Sequence, residues 1–418
     1  MKFSTFLLLL TVLVATPYAL AQTAISKGNT SAASPLEKLR AKGLEALFNL
    51  DYEAANQAFK QITREFPDQP VGPRMLAWTI WLETLNKSRL QQGAIYSSQS
   101  FGATTDDQPD AKIVEEFRDL TRQAAQLARG RSQRVPHDAQ TLYELGSVET
   151  LKASFAITTE GRYMAALHDA SSGVDREREA IKLDPTFHDA ELTIGLYEYV
   201  LGSLPLPAKM IASFVGARGS KKRGLQTLER VAMDGRWERD DAKLLLMGLY
   251  KSQKRFADSL TLSRELQQKY PRNYLFNLET ADTLISQALE ERQANRAAVA
   301  DALQKEALNI FESMLKEHAD SGTPRRALGL VHFRYGEALL NVGQPENAAK
   351  QFLAATTIHE AENELVTRAH LRAGQSFDLA GKRDAALAEY RSVISRPNLH
   401  DLQEQARRGL KEPYKQAR

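Results

Sequence analysis

Apolar residues along this chain recur at intervals of three and four, the spacing that places side chains on one face of a helix. The clearest stretch, 331–356, predicts two amphipathic helices separated by a short break and packed against each other. Gly336 in the first helix is followed 12, 16 and 19 residues later by Ala348, Phe352 and Ala355. These three positions share one face of the second helix. The pattern predicts an antiparallel helix pair that meets at Gly336.

The same arrangement occurs twice more, with Gly374 followed by Ala386, Tyr390 and Val393, and Gly43 followed by Ala55, Phe59 and Ile62. Proline supplies a second regularity, because a residue without an N–H group ends a helix. Pro67, Pro136, Pro185 and Pro271 are each followed ten residues later by a small residue, namely Ala77, Gly146, Gly195 and Ala281. With Gly248, these positions predict eight helix pairs.

This register resembles the tetratricopeptide repeat, a helix-turn-helix unit of about 34 residues. The resemblance implies an all-α fold, a superhelical solenoid of about eight stacked antiparallel helix pairs with insertions and a C-terminal cap helix. We expect a signal peptide at 1–21 and a flexible leader at 22–34. Helix pairs with an inserted loop are expected at 35–137, and central pairs at 138–237, where 202–224 is an insertion. Pairs with long helices at 238–320, two well-formed units at 321–398, and a cap helix and tail at 399–418 are expected to follow.

The first 21 residues predict a secretory signal peptide. Lys2 precedes an apolar run over 6–15, and small residues at Ala19 and Ala21 predict cleavage after Ala21. The chain contains no cysteine, which suits an oxidising compartment. We therefore expect an exported protein, periplasmic in preference to extracellular.

Charge and motifs exclude several functional classes. The 55 basic and 52 acidic residues leave a net charge of +3, which gives no reason to expect a nucleic-acid partner. His359 begins a zinc-protease pattern but lacks the second histidine four residues later, so no metal site is expected. Carboxylate pairs such as Asp240 and Asp241 are expected on solvated helix faces. We find no sequence motif of a catalytic nucleophile or a phosphate-binding loop, and expect neither enzymatic activity nor a cofactor.

The family resemblance also indicates a binding surface, because the first helix of each unit lines the concave side of such solenoids. The expected groove residues are Tyr143, Tyr199, Phe333, Arg334, Glu337, Arg372, Gln375 and Asp378. Aromatic and polar side chains together are typical of a peptide-binding groove. An alternative is that Tyr143 and Tyr199 only fill the interior of the superhelix. The favoured function is a non-enzymatic exported scaffold for a protein or peptide partner, in cell-envelope assembly or maintenance.

The stretch 195–224 is the least repeat-like, and is similar to a block found in exported bacterial tetratricopeptide proteins. Its cations are Arg218, Lys221, Lys222 and Arg223. They could contact an anion or a lipid surface, but an inserted helix with a solvated basic loop is the favoured interpretation. Attachment to a membrane surface through 208–223 and an enzyme site within 195–235 are the alternatives to the scaffold.

Overall fold

The computed structural model describes residues 33–92, 110–206, 209–210, 218–316, 323–397 and 401–415. The expected signal peptide at 1–21, most of the leader at 22–34, and the central part of the insertion at 202–224 lie outside these ranges. Among the described residues, no helix has the length and apolar content needed to cross a membrane.

Seventeen α-helices have their bounds within the described residues, where no strand occurs. They are α1 Pro35–Phe48, α2 Tyr52–Glu65, α3 Val71–Gln92, α4 Ala111–Arg134, α5 Ala139–Thr158, α6 Tyr163–Leu183, α7 Glu191–Ser203, α8 Lys221–Asp234, α9 Arg239–Ser252, α10 Phe256–Lys269, α11 Tyr274–Gln293, α12 Ala297–Lys316, α13 Leu328–Asn341, α14 Pro345–Thr356, α15 Asn363–Leu379, α16 Arg383–Ile394 and α17 Leu402–Lys411.

Consecutive helices pack in antiparallel pairs, α1 with α2 through α15 with α16, and α17 covers the last pair. All eight predicted small positions lie in the first helix of a pair, so the predicted all-α solenoid is confirmed. Local sequence defines where the elements begin and end. At α1, the Ser34 hydroxyl accepts a hydrogen bond from the Glu37 N–H at 3.3 Å, and the Glu37 carboxylate accepts one from the Ser34 N–H at 3.0 Å.

The glycines predicted at helix crossings are covered by aromatic rings. A Cβ atom added at Gly336 would lie 2.7 Å from the Phe352 ring, and one at Gly374 would lie 2.8 Å from the Tyr390 ring. Phe59 covers Gly43 in the same way. Each ring fills the space that a side chain on the first helix would occupy, so the two helix axes approach closely.

The turn between α1 and α2 packs against the junction of α10 and α11, more than 200 residues later. The rings of Phe48 and Tyr270 stack with centroids 4.8 Å apart. Asn273 donates its side-chain N–H to the Phe48 carbonyl at 2.7 Å, and the Arg272 N–H donates to the Asn49 side chain at 3.1 Å. We call these contacts the clasp. The clasp joins the first pair to the fifth and sixth, so the first five pairs surround a common interior.

Candidate functional site

A cavity of 210 Å³ lies in this interior, between α1, α3, α5, α6, α7 and α9. Much of its wall is apolar and aromatic, formed by Leu47, Phe48, Trp78, Trp81, Leu85, Leu151, Leu196 and Leu244. The polar part of the wall includes the carboxyl groups of Glu177, Asp189, Glu238 and Asp241, the cations Arg74 and Arg89, and hydroxyl groups such as those of Thr150, Ser154 and Thr193. An apolar chamber with a few convergent polar groups is the usual form of a ligand site.

Arg74 is held beneath the cavity by Glu144. Its Nε donates to the Glu144 carboxylate at 2.7 Å, and both side chains are about 95% buried. Arg40 approaches the same carboxylate at 3.8 Å and donates to the Tyr143 hydroxyl at 3.4 Å. Burial lowers the pKa of Arg74, but the negative charge of Glu144 outweighs it and the pKa lies above its usual value. Arg74 therefore stays cationic and neutralises part of the acidic wall.

Tyr143 and Asp189 position Glu238. The Tyr143 hydroxyl donates to a carboxylate oxygen of Glu238. One oxygen of Asp189 accepts three consecutive backbone N–H groups, from Arg236 at 2.7 Å, Trp237 at 2.8 Å and Glu238 at 3.0 Å. Three N–H donors satisfy this carboxylate and hold the turn before α9, so Glu238 faces the cavity from a rigid backbone.

Glu177 is the acidic group with the fewest partners. Its side chain is about 99% buried, one oxygen accepts from the Thr193 hydroxyl at 3.3 Å, and the other oxygen has no hydrogen-bond partner. An oxygen of Asp241 is also buried without a partner. Burial raises the pKa of Glu177 and of Asp241 well above the usual values, and the nearby charge of Glu238 raises both further. Glu238 therefore lies close enough to Glu177 and Asp241 for its charge to shift the pKa of both.

The crossing of α5 and α6 departs from the ring-on-glycine arrangement. The atom nearest to a Cβ added at Gly146 is a side-chain carbon of Glu177, 2.7 Å away. Three other crossings place an aromatic ring on the corresponding glycine. The stem of a glutamate therefore fills the space at this crossing, and its carboxyl group reaches the cavity.

Eight pairs in one register, three of them closed by a ring on a glycine, decide the type of fold. The fold is a tetratricopeptide-like solenoid of helix pairs. No protein-family model matches the sequence, and no curated protein matches it.

Solved structures with similar arrangements of helices include tetratricopeptide proteins. A human IFIT1 dimer with PPP-AAAA is 13% identical over 90% of this chain and 84% of its own, with a TM-score of 0.45. Yeast Tom70 is 11% identical over 90% of this chain and 81% of its own, with a TM-score of 0.36. A tetratricopeptide repeat protein from Parabacteroides merdae is 14% identical over 81% of this chain and 98% of its own, with a TM-score of 0.31.

The two predicted groove tyrosines of this repeat protein lie at different places. Tyr143 lines the cavity, about 99% buried, with its hydroxyl in the acidic network. Tyr199 in α7 is buried outside the cavity lining, where its hydroxyl accepts from Gln253 at 3.2 Å and Lys221 lies 5.5 Å above its ring.

The predicted groove residues of α13 and α15 are not part of the cavity. Arg372 pairs with the Glu337 carboxylate through two nitrogens, at 2.5 and 2.7 Å, and contacts Gln375 at 2.7 Å. The Asp378 side chain is fully buried and accepts from Arg383 at 2.9 Å. The Arg372–Glu337 pair connects adjacent repeats, and the role of these side chains in partner binding stays a prediction.

Two of the predicted groove residues in α13 have contacts that were not expected. Phe333 was expected to point into the groove, but it is about 94% buried and packs edge-to-face on Phe352 with centroids 5.3 Å apart. Arg334 pairs with Asp282, which also binds Lys251. Burial opposes the ionisation of Asp282, but the two cations outweigh it and hold its pKa at about 2.

The basic residues near α8 are exposed. Arg218, Lys221, Lys222 and Arg223 all reach solvent, and Arg223 pairs with Glu198 at 3.3 Å. Their expected anion or lipid contact stays a prediction. Within the described ranges, no group of three His, Asp or Glu side chains is placed to hold a metal ion.

Sequence reasoning missed most of the cavity. Glu177, Glu238 and Arg74 were not selected, and Asp240 and Asp241 were placed on a solvated face, which is wrong. Asp240 is buried and accepts from Lys269 at 2.5 Å. Glu177 covers Gly146 from 31 positions away, outside the 16-residue spacing of Gly336 and Phe352, so the repeat pattern gave no signal for it.

Proposed function

We propose that this protein is a non-enzymatic exported scaffold that binds a protein or peptide partner in the interior of its superhelix, in cell-envelope assembly or maintenance. The observation that carries the proposal is the apolar and aromatic cavity enclosed by the first five helix pairs. Such chambers suit the burial of a large anchor side chain, which supplies most of the affinity in many protein interfaces.

The charge of the wall favours a polypeptide over a nucleic acid. Four carboxyl-bearing residues line the cavity together with two cations, Arg74 and Arg89. A phosphate backbone would be repelled there, because nucleic-acid binding depends on clustered cations. Peptide side chains can satisfy both the apolar and the acidic parts of the wall.

The test is selection of a displayed random 12-residue peptide library on the purified protein, with removal of peptides that also bind a cavity-filled variant. Ser154→Phe fills the cavity from α5, since Ser154 lines it and is half-buried. Ser252→Phe is the matched control, because Ser252 is exposed in α9 and also donates to a backbone carbonyl.

We expect selected peptides to bind the wild type and Ser252→Phe with equal affinity, and Ser154→Phe at least tenfold more weakly. Circular dichroism must show equal helix content in all three proteins. Peptides that bind all three equally would place the site outside the cavity. Failure to select any peptide would argue against a peptide-binding scaffold.

Export is tested separately by fractionation and mass measurement of the chain made in a bacterial host. A soluble envelope form that begins at Gln22 supports export. A full-length chain confined to the cytoplasm contradicts it.

A further inference from the structure

The wall of the cavity holds more carboxyl groups than cations, with Glu177, Asp189, Glu238 and Asp241 against Arg74 and Arg89. Asp189 is satisfied by three backbone N–H groups, and Glu238 receives the Tyr143 hydroxyl. Glu177 and Asp241 each keep one buried oxygen without a hydrogen-bond partner. Arg74 is directed to Glu144, which lies behind the wall.

A buried glutamate at the crossing of α5 and α6 lowers the stability of the fold if it serves only to fill space. A buried carboxyl group with an unpaired oxygen destabilises a fold, and an apolar side chain of similar volume would fit the crossing at a lower cost in free energy. The protein itself uses Phe59, Phe352 and Tyr390 for the same purpose at other crossings. Departures of this kind occur mainly at functional sites.

The cavity that these residues line has room for a side chain. Its 210 Å³ is more than ten times the roughly 10–15 Å³ that a single water molecule needs. Trp78 and Trp81 form part of the apolar wall. Aromatic faces attract cations and also bury the methylene groups that carry them.

We infer that the cavity recognises a positively charged side chain, the ammonium of lysine or the guanidinium of arginine, next to a bulky apolar residue of the bound peptide. The inference rests on the proposed function, since the cation is carried by the peptide partner. Glu177 and Asp241 accept hydrogen bonds from the cation, and the tryptophans and leucines enclose the apolar neighbour.

The test uses the selected peptides and a set of charge-matched analogues. The chain has three tryptophans, of which Trp78 and Trp81 line the cavity and Trp237 packs on Arg40 at 4.4 Å, so their fluorescence reports on this region. Peptides without tryptophan are synthesised with the basic residue unchanged or replaced by norleucine. Hexylamine and 1-hexanol are titrated in parallel as free ligands.

Glu177→Gln is the test variant, because it removes the ionisable carboxyl group and keeps the shape. Glu179→Gln is the matched control, since Glu179 is exposed on the same helix. We expect the wild type and Glu179→Gln to prefer the basic peptide over the norleucine peptide at least tenfold. In Glu177→Gln the preference should fall to threefold or less. Equal melting temperatures of the two variants exclude a folding defect.

The outcomes separate this inference from the proposed function. Selected peptides that lack a basic residue, or that tolerate norleucine, would overturn the inference and leave the peptide-binding scaffold intact. A second outcome is that no peptide is selected, but the wild type binds hexylamine more tightly than 1-hexanol and Glu177→Gln does not. In that case the cavity has a cation site for small amines, and the proposal of a peptide-binding scaffold is refuted. If neither peptides nor hexylamine bind, both are refuted.

Discussion

Replacing Arg74 by methionine tests whether the buried ion pair beneath the cavity holds α3 to α5. The Arg74 and Glu144 side chains are 5% and 4% exposed and lie 2.7 Å apart. Arg122 and Asp119 form a pair of almost the same length, 2.8 Å, but with 66% and 59% exposure. Arg122 and Asp119 are exposed and lie three positions apart on one helix, so Arg122→Met is the control for an exposed pair of almost equal length.

The expected loss in unfolding free energy follows from what Glu144 retains. Removal of one partner of a buried pair costs about 3–5 kcal/mol, because the other charge is left without water. Glu144 keeps Arg40 at 3.8 Å and the side-chain N–H of Gln140 at 3.1 Å. Because Glu144 keeps these contacts, we expect Arg74→Met to lower the unfolding free energy by about 3 kcal/mol, the lower end of that range. Arg122→Met should cost less than about 1 kcal/mol.

The assay is urea unfolding at pH 7 followed by tryptophan fluorescence, which reports on the region around the cavity. The double variant Arg74→Met with Glu144→Gln should be more stable than Arg74→Met alone, because the buried carboxylate that Arg74 compensates is gone, but less stable than the wild type, because the buried Arg40 loses its charge partner at 3.8 Å. If Arg74→Met costs no more than Arg122→Met, the pair is not a buried electrostatic contact. In that case Glu144 does not hold a buried Arg74 next to the carboxyl groups of the cavity.

Two further predictions concern the crossings and the acid range. Gly336→Ala should destabilise the protein by about 1–3 kcal/mol in urea unfolding, because its Cβ would lie 2.7 Å from the Phe352 ring. Gly130→Ala, with nothing within 4 Å, should stabilise it by about 0.5–1 kcal/mol, and equal effects would refute the crossing geometry. Asp282 has a folded-state pKa of about 2, below its usual 3.8, so its contribution to stability is complete above pH 3.8 and is lost as pH falls towards 2. Melting temperatures from pH 5 to 2 should fall less in Asp282→Asn than in the exposed control Asp301→Asn, and identical profiles would contradict the paired Asp282.

The helix pairs could be predicted from the sequence because their signals are local. Gly336 and Phe352 are 16 residues apart, and helical geometry alone places them on facing sides of one pair. The proline spacing identified Gly146, ten residues after Pro136. The solenoid follows because each pair has an apolar face that only its neighbours can bury.

The cavity could not be predicted in the same way, because its residues converge over long separations in the chain. Arg74 meets Glu144 across 70 positions, and Tyr143 meets Glu238 across 95. Periodicity shows which side chains share a helix face, but not whether that face meets solvent, another helix or an enclosed space. Asp241 and Phe333 were misplaced for this reason.

The clasp has a consequence for how the chain is made. The side chain of Asn273 donates to the carbonyl of Phe48, 225 positions earlier. At roughly 5–20 residues per second, synthesis takes about 10–45 s to cover that interval. During this time the first helix pair has left the ribosome without its partners from the middle of the chain. The superhelix is still open at that stage, and the apolar wall that later encloses the cavity faces water. Chaperones that shield exposed apolar surface would act on this protein mainly in that interval, before Asn273 is synthesised.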